Sequence, residues 1–294
     1  MGDIIDLISK KAEEVDEELS NLISSFEPVI SEKLFESMKY SLFSGGKRLR
    51  PILAILSAEL TNGDPQKASK IRASIELIHT YSLIHDDLPS MDDDDYRRGK
   101  KANHLVYGPG MAILAGDALL TATFQLISEM KLEAEKKVKI IQLIAKEAGL
   151  NGMVGGQALD LKYENKEINL SQLQKIHLAK TAALFRAAIV SGAYTGEISQ
   201  KEVKSLELFS EKLGLLFQIT DDILDLTGDS EKLGKEVGSD SKLDKSTYPK
   251  LLGLEGAQKE AEKTAKKAKE ALWIFGDKAD KFNKLIDFIL TRDH

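Results

Sequence analysis

Carboxylates gather at two places in this chain. In His85-Asp86-Asp87-Leu88-Pro89-Ser90-Met91-Asp92-Asp93-Asp94-Asp95, six of the ten residues from Asp86 to Asp95 are aspartate, at the end of a stretch with helical apolar spacing. Six crowded carboxylates repel one another, so either water screens them or cations hold them together. Hard oxygen ligands in a chain without cysteine suit Mg²⁺ or Ca²⁺ rather than zinc. Taken alone, such a run also fits a solvated helix end. The second run, Phe217-Gln218-Ile219-Thr220-Asp221-Asp222-Ile223-Leu224-Asp225, narrows the choice. Asp221 and Asp225 are about 40° apart around a helix and one turn along it, so both can grip one cation. They are embedded among Leu213, Leu215, Leu216, Ile219, Ile223 and Leu224, where an unpaired charge is costly.

Asp86 and Asp92 are six residues apart, about 240° around an ideal helix. Pro89 lacks the N–H that would bond the His85 carbonyl. A bulge of two extra residues is therefore expected to bring Asp92 to where a four-residue spacing would place it. Two facing acidic helices would form a multi-cation site, and such cations keep waters and bind phosphate between them.

Basic groups flank the acidic ones. Gly45-Gly46-Lys47-Arg48-Leu49-Arg50-Pro51 stands just before a helix, with Pro51 suited to its first turn. Three cations there oppose the positive end of the helix dipole until an anion arrives. The segment suggests a phosphate site but is not a P-loop, since the GxxxxGK[ST] pattern and its preceding strand are missing. Arg97-Arg98-Gly99-Lys100-Lys101 follows the aspartates directly, and guanidinium forks suit bidentate phosphate contacts. His79 lies two turns before Asp86 on nearly the same stripe, either facing the same cavity or packing as an ordinary helix histidine. Lys180-Thr181, inside an apolar helix, and Lys235, after the second acidic run, add possible donors.

Helices must carry these groups. Ile8, Ala12, Val15, Leu19, Leu22 and Phe26 follow one another at three- and four-residue steps. Similar spacing predicts helices over about Pro51–Leu60, Ala68–Asp86, Met111–Met130, Glu133–Leu150, Leu170–Tyr194, Gln200–Leu226, Glu255–Phe275 and Asp277–Leu290, and no strand. The chain has 294 residues, 42% hydrophobic and 30% charged, and no Gly/Ser/Pro linker divides it. One large all-α domain spanning 1–294 is therefore expected. A formal net charge of −6 argues against a protein that coats nucleic acid or anionic lipid. No run reaches the ~18 uninterrupted apolar residues of a membrane span. The best, Met111–Leu120, is short and contains Asp117. The start lacks a basic region followed by an apolar stretch, so a cytoplasmic protein is expected.

Taken together, GGKRLRP, IHDDLPSMDDDDYRRGK, GGQALDL, KTAALFRAA, FQITDDILDLTGD and GKEVGSDSKLDKSTYP resemble the motifs of the trans-isoprenyl diphosphate synthases, specifically the bacterial farnesyl diphosphate synthase type, in the same order from residue 45 to 249. The resemblance implies an all-α bundle around a deep central cavity, as a homodimer, with the two aspartate motifs facing each other at its mouth. By similarity, Asp86 and Asp92 on one side and Asp221 on the other would bind Mg²⁺, three ions per site, bridging an allylic diphosphate. Asp87 and Asp225 would be supporting ligands. Arg97, Lys180 and Lys235 would hold the same diphosphate. Lys47, Arg50, His79 and Arg98 match the isopentenyl diphosphate site. Thr181 and Gln218 match positions lining the allylic substrate, where positive charge develops.

The implied reaction condenses isopentenyl diphosphate with dimethylallyl or geranyl diphosphate to farnesyl diphosphate. It needs no protein nucleophile: cations stabilise departing diphosphate, a double bond attacks the allylic cation, and a proton is lost. Tyr81, five residues before Asp86 and about 7.5 Å along the helix, would floor the cavity and stop growth at C15. A geranylgeranyl diphosphate synthase of the same family is the alternative. An HD-type phosphohydrolase would use His79 and His85-Asp86, but explains neither the Asp221/Asp225 pair nor two basic segments. A terpene cyclase would mix Asn, Ser and Glu into its second metal motif, and a non-catalytic synthase subunit would lose motif residues. Covering the site is the one role open to the C-terminal Thr291-Arg292-Asp293-His294, and the sequence supplies no physical basis for it.

Overall fold

The computed structural model describes residues 2–27, 29–64, 66–164, 166–228 and 246–292. Its helices are α1 (Gly2–Ser24), α2 (Glu32–Leu42), α3 (Leu49–Leu60), α4 (Ser69–Asp86), α5 (Asn103–Tyr107), α6 (Pro109–Ser128), α7 (Ala134–Ala148), α8 (Met153–Tyr163), α9 (Leu170–His177), α10 (Ala183–Ala193), α11 (Gln200–Thr227), α12 (Tyr248–Ala271) and α13 (Asp280–Thr291). A π turn, Leu178–Ala182, joins α9 to α10, and a 3₁₀ segment, Trp273–Ala279, precedes α13.

Local signals set the boundaries. Ser199 and Glu202 form a capping box that opens α11, and Asn169 and Gln172 form another at α9. Thr247 caps α12, where Pro249 occupies the first turn, which lacks intrahelical acceptors. α3 buries Ile52, Leu53, Ala54 and Ile55 almost completely, and α10 buries nearly every side chain it has. Such all-round apolar helices belong at the centre. Accordingly α10 packs against α3, α4 and α11, with α6 laid along α4, α12 and α13 along α11, and α1 across α3 and α4.

α2, α5 and α8 form where no helix was expected; the predicted helices appear within a few residues of their expected ends, with three further differences. The stretch expected as one helix over Leu170–Tyr194 is broken by the π turn. α12 begins seven residues before the expected Glu255, and Gly253 (φ 71°) interrupts it. A two-residue hairpin appears where no strand was expected: β1 (Tyr96–Arg97) pairs antiparallel with β2 (Lys100–Lys101). Its turn residues, Arg98 and Gly99, both have positive φ, as the tightest hairpin turns require. Among the described residues α6 alone is long and apolar enough to cross a bilayer, and it contains the Met111–Leu120 run that Asp117 interrupts. Its Ala112, Ala115 and Leu119 are fully buried in the core.

Candidate active site

α4 ends at Asp86, and Pro89 stops the ladder from continuing. The chain then turns back so that the Asp92 amide donates to the Asp86 carbonyl at 2.9 Å. The expected bulge in a continuing helix is thus replaced by a helix end and a turn, in which Asp93 adopts positive φ. Asp92 reaches Asp86 through its backbone rather than through helical spacing. Burial pushes the Asp86 carboxyl up to about 6, with Lys180 opposing and Asp92 reinforcing the shift.

Asp87, 3% exposed, accepts from Arg97 Nε at 2.9 Å and from its Nη2, which also donates to Asp94 at 2.9 Å. In this structure Asp87 therefore anchors Arg97. Burial raises the Asp87 pKa despite that partner. The hairpin turn carries Arg98 to the carbonyl of Gly45, which brings the basic segment before α3 against the one after the aspartates. Arg50 lies over the Phe185 ring at 5.2 Å and donates from Nη1 to His79 Nε2 at 3.2 Å. That bond requires an unprotonated His79 Nε2. Burial, then Arg50 and neighbouring arginines, hold the imidazole well below its ordinary range. Burial lowers Arg50 itself to about 10. Lys47, in the same basic segment, is exposed. Arg48 turns the other way, at φ 48°, and is spent on Asp16, Glu76 and the Leu42 carbonyl.

The π turn presents Lys180 and Thr181. A β-carbon on Gly156 of α8 would collide with the backbone of Ala179 and Lys180, and one on Gly214 of α11 with Ala182, so two glycines clamp the turn from both sides. π insertions recur at functional positions because they re-aim side chains out of register with the helix. Here Thr181 Oγ1 donates to Gln218 Oε1 at 2.9 Å, joining the two residues expected to line the allylic substrate. Lys180 Nζ donates to Asp160 Oδ2 at 2.7 Å. Burial works against the lysine's charge, but Asp160, then Asp86 and Asp92, outweigh it and raise its pKa. Asp160 was not anticipated as a site residue. It sits in the GGQALDL run, and nothing local pairs it with a lysine 20 residues on.

In α11, Asp225 is buried at 3% exposed, while the Asp221 side chain is 38% exposed and accepts from Arg292. Asp222, between them, accepts the Tyr248 amide at 2.9 Å and so ties the start of α12 to α11. Lys235 lies outside the described residues.

Asp92, Asp160, Lys180, Thr181, Gln218 and Asp222 line a polar chamber of about 150 Å³. Through Leu161, Lys180 and Thr181 it shares walls with a mainly apolar cavity of about 510 Å³. That cavity is lined by Tyr81, Leu88, Ile113, Met153 and Val154, with Arg50, His79 and Asp86 also on its wall. Tyr81 is 5% exposed and meets the His85 ring edge-on at 5.7 Å. Among the described residues no three carboxylate or imidazole groups form a ready-made metal cage. The donor set nonetheless fits Mg²⁺. Asp86 is a half-buried carboxylate crowded by Asp92 and Asp87, and Mg²⁺ binds through one or two carboxylates plus waters and phosphate oxygens.

The polyprenyl synthetase family profile matches residues 31–282. The chain is 44% identical over 266 residues to a farnesyl diphosphate synthase of Bacillus subtilis (strain 168), covering 90% of each chain. It is 41% identical to a geranylgeranyl diphosphate synthase of Cyanophora paradoxa, covering 99% of this chain and 97% of that one. The crystal structure of geranylgeranyl pyrophosphate synthetase from Pyrococcus horikoshii Ot3 superposes with a TM-score of 0.89 at 32% identity, covering 99% of both chains.

Proposed function

This chain belongs to the polyprenyl synthetase family and is a trans-prenyltransferase, and from that premise we propose that residues 1–294 act as one synthase domain condensing isopentenyl diphosphate with dimethylallyl or geranyl diphosphate to farnesyl diphosphate. The observation that carries this reading is the polar chamber joined at Lys180 and Thr181 to an apolar cavity, because the substrates are charged at one end and hydrocarbon at the other.

In this proposal Asp86, Asp92 and Asp221 hold Mg²⁺, three ions per site, with Asp87 and Asp225 in support. Mg²⁺ held by these carboxylates would supply Lewis-acid stabilisation of the negative charge on the diphosphate. Lys180, Arg97 and Lys235 bind the oxygens of that group. Lys47, Arg50, His79 and Arg98 bind isopentenyl diphosphate, with neutral His79 fixing the Arg50 fork. As the allylic C–O bond breaks, its electron pair leaves with diphosphate. The Gln218 carbonyl and the Thr181 hydroxyl oxygen face the resulting cation. The double bond of isopentenyl diphosphate then forms the new C–C bond, and the proton lost from the resulting cation passes to the released diphosphate. The apolar cavity keeps out water that would trap the cation.

A buried aromatic at position 81 favours stopping at C15. The 41% identity to a geranylgeranyl diphosphate synthase favours C20 as the second reading. Leu105, Val106, Ile113 and Leu114, exposed on α5 and α6, support a homodimer formed through that face. The cytoplasmic setting belongs to the same proposal. The test is to incubate the protein with Mg²⁺, isopentenyl diphosphate and each allylic diphosphate, then measure diphosphate release and product length. Farnesyl product is expected. Hydrolysis without condensation, or a cyclic hydrocarbon from one allylic substrate, overturns the reading.

A further inference from the structure

The end of α13 reaches the second acidic cluster. The Arg292 side chain, 5% exposed, lies over the Phe217 ring, its guanidinium carbon 4.2 Å from the centroid. Its Nη2 donates to the Phe217 carbonyl at 3.1 Å, to Thr220 Oγ1 at 2.9 Å and to Asp221 Oδ1. The ring, the carbonyl and the hydroxyl all belong to α11 and hold the guanidinium without help from Asp221. Asp221, by contrast, is 38% exposed and has Arg292 as its ion-pair partner. Of the two groups the arginine is therefore the fixed one, and the carboxylate takes its orientation from it.

We propose that Arg292 is a positioning residue for Asp221. It engages one carboxylate oxygen and so fixes the direction in which the group meets a divalent cation, as outer hydrogen-bond partners do for metal ligands in general. This rests on the reading of Asp221 as a metal ligand. Two physical effects predict opposite signs when Arg292 is neutralised. Removing a positive charge beside a cation site tightens cation binding by Coulomb's law, whereas losing the orienting bond weakens it by about 10- to 100-fold.

Mn²⁺ binding in the presence of inorganic pyrophosphate, followed by electron paramagnetic resonance on the full chain, separates the two. Arg292→Gln is expected to weaken Mn²⁺ binding about 10-fold or more, with Arg292→Lys recovering part of the loss. Thr220→Val, which removes one acceptor but keeps the charge, is expected to weaken it less. It carries the test if circular dichroism shows that Arg292→Gln does not fold. Unchanged or tighter Mn²⁺ binding in folded Arg292→Gln, or unchanged binding in Thr220→Val if that variant carries the test, overturns the inference and leaves the site reading intact. A parent protein that binds no Mn²⁺ overturns both.

Discussion

Lys180, on a π turn, and Asp160, on α8, are joined by a 2.7 Å bond across 20 residues of chain. The lysine is held at the junction of the polar chamber and the apolar cavity, and Asp160 is the nearest reason it points there. Neither acidic motif contains Asp160, yet the lysine proposed to meet the departing diphosphate is held by it.

Asp160→Asn keeps the shape of the side chain and removes the charge that raises the Lys180 pKa. Displacing a substrate-binding group by an ångström can cost about 100-fold in rate, and Asn still accepts one bond. We therefore expect kcat/KM to fall about 10-fold, with little change in melting temperature. A steady-state assay beside a thermal melt checks it.

Tyr81→Ala is expected to lengthen the product beyond C15 by opening the cavity next to His85. The same truncation of a buried aromatic costs about 3–5 kcal/mol when the site does not collapse, so the variant should also melt at a lower temperature. Chromatography of the dephosphorylated products reads the chain length, and an unchanged distribution refutes Tyr81 as the floor.

Gly156→Ala forces a methyl group into the backbone of the π turn. Backbone cannot step aside as a side-chain tip can, so a loss of about 1–3 kcal/mol, typical of overpacking, is expected. Activity should fall further than stability alone explains, because Lys180 and Thr181 move with the turn. Gly214→Ala, which meets Ala182 from α11, should act in the same direction.

Burial lowers His177 to about 4, with Asp160 opposing the shift and Lys180 adding to it. Its ring lies 5.8 Å from that of Tyr248. The folded state thus binds fewer protons than the unfolded chain between about pH 4 and 6.5, and stability rises with pH across that window. A drop from pH 6.5 towards 4 should cost on the order of 3 kcal/mol through this residue. His177→Phe, which keeps a ring against Tyr248, should flatten that part of the stability curve. Denaturant unfolding at a series of pH values measures it.

Whatever depends on neighbours along one helix was legible in the sequence. Asp221 and Asp225 are one turn apart on α11 because 3.6 residues make a turn, and the apolar pattern around them already implied a packed helix. The helices α3, α4, α6, α7, α11 and α13 follow from the same periodicity, and the joint motifs pointed to the family. α2 and α8 are short and interrupted by polar or small residues, too little pattern to separate from a loop. The turn after Asp86 was misread because a proline signals only that a helix is disturbed, not whether it resumes.

Only the tertiary structure decided which distant groups meet. Thr181 finds Gln218 and Lys180 finds Asp160 because α8 and α11 close on a π turn that two glycines allow to come near, and Arg292 finds Asp221 because α13 ends against α11. Those pairings are set by close packing of whole helices, and close packing depends on the three-dimensional course of the chain rather than on any local spacing along it.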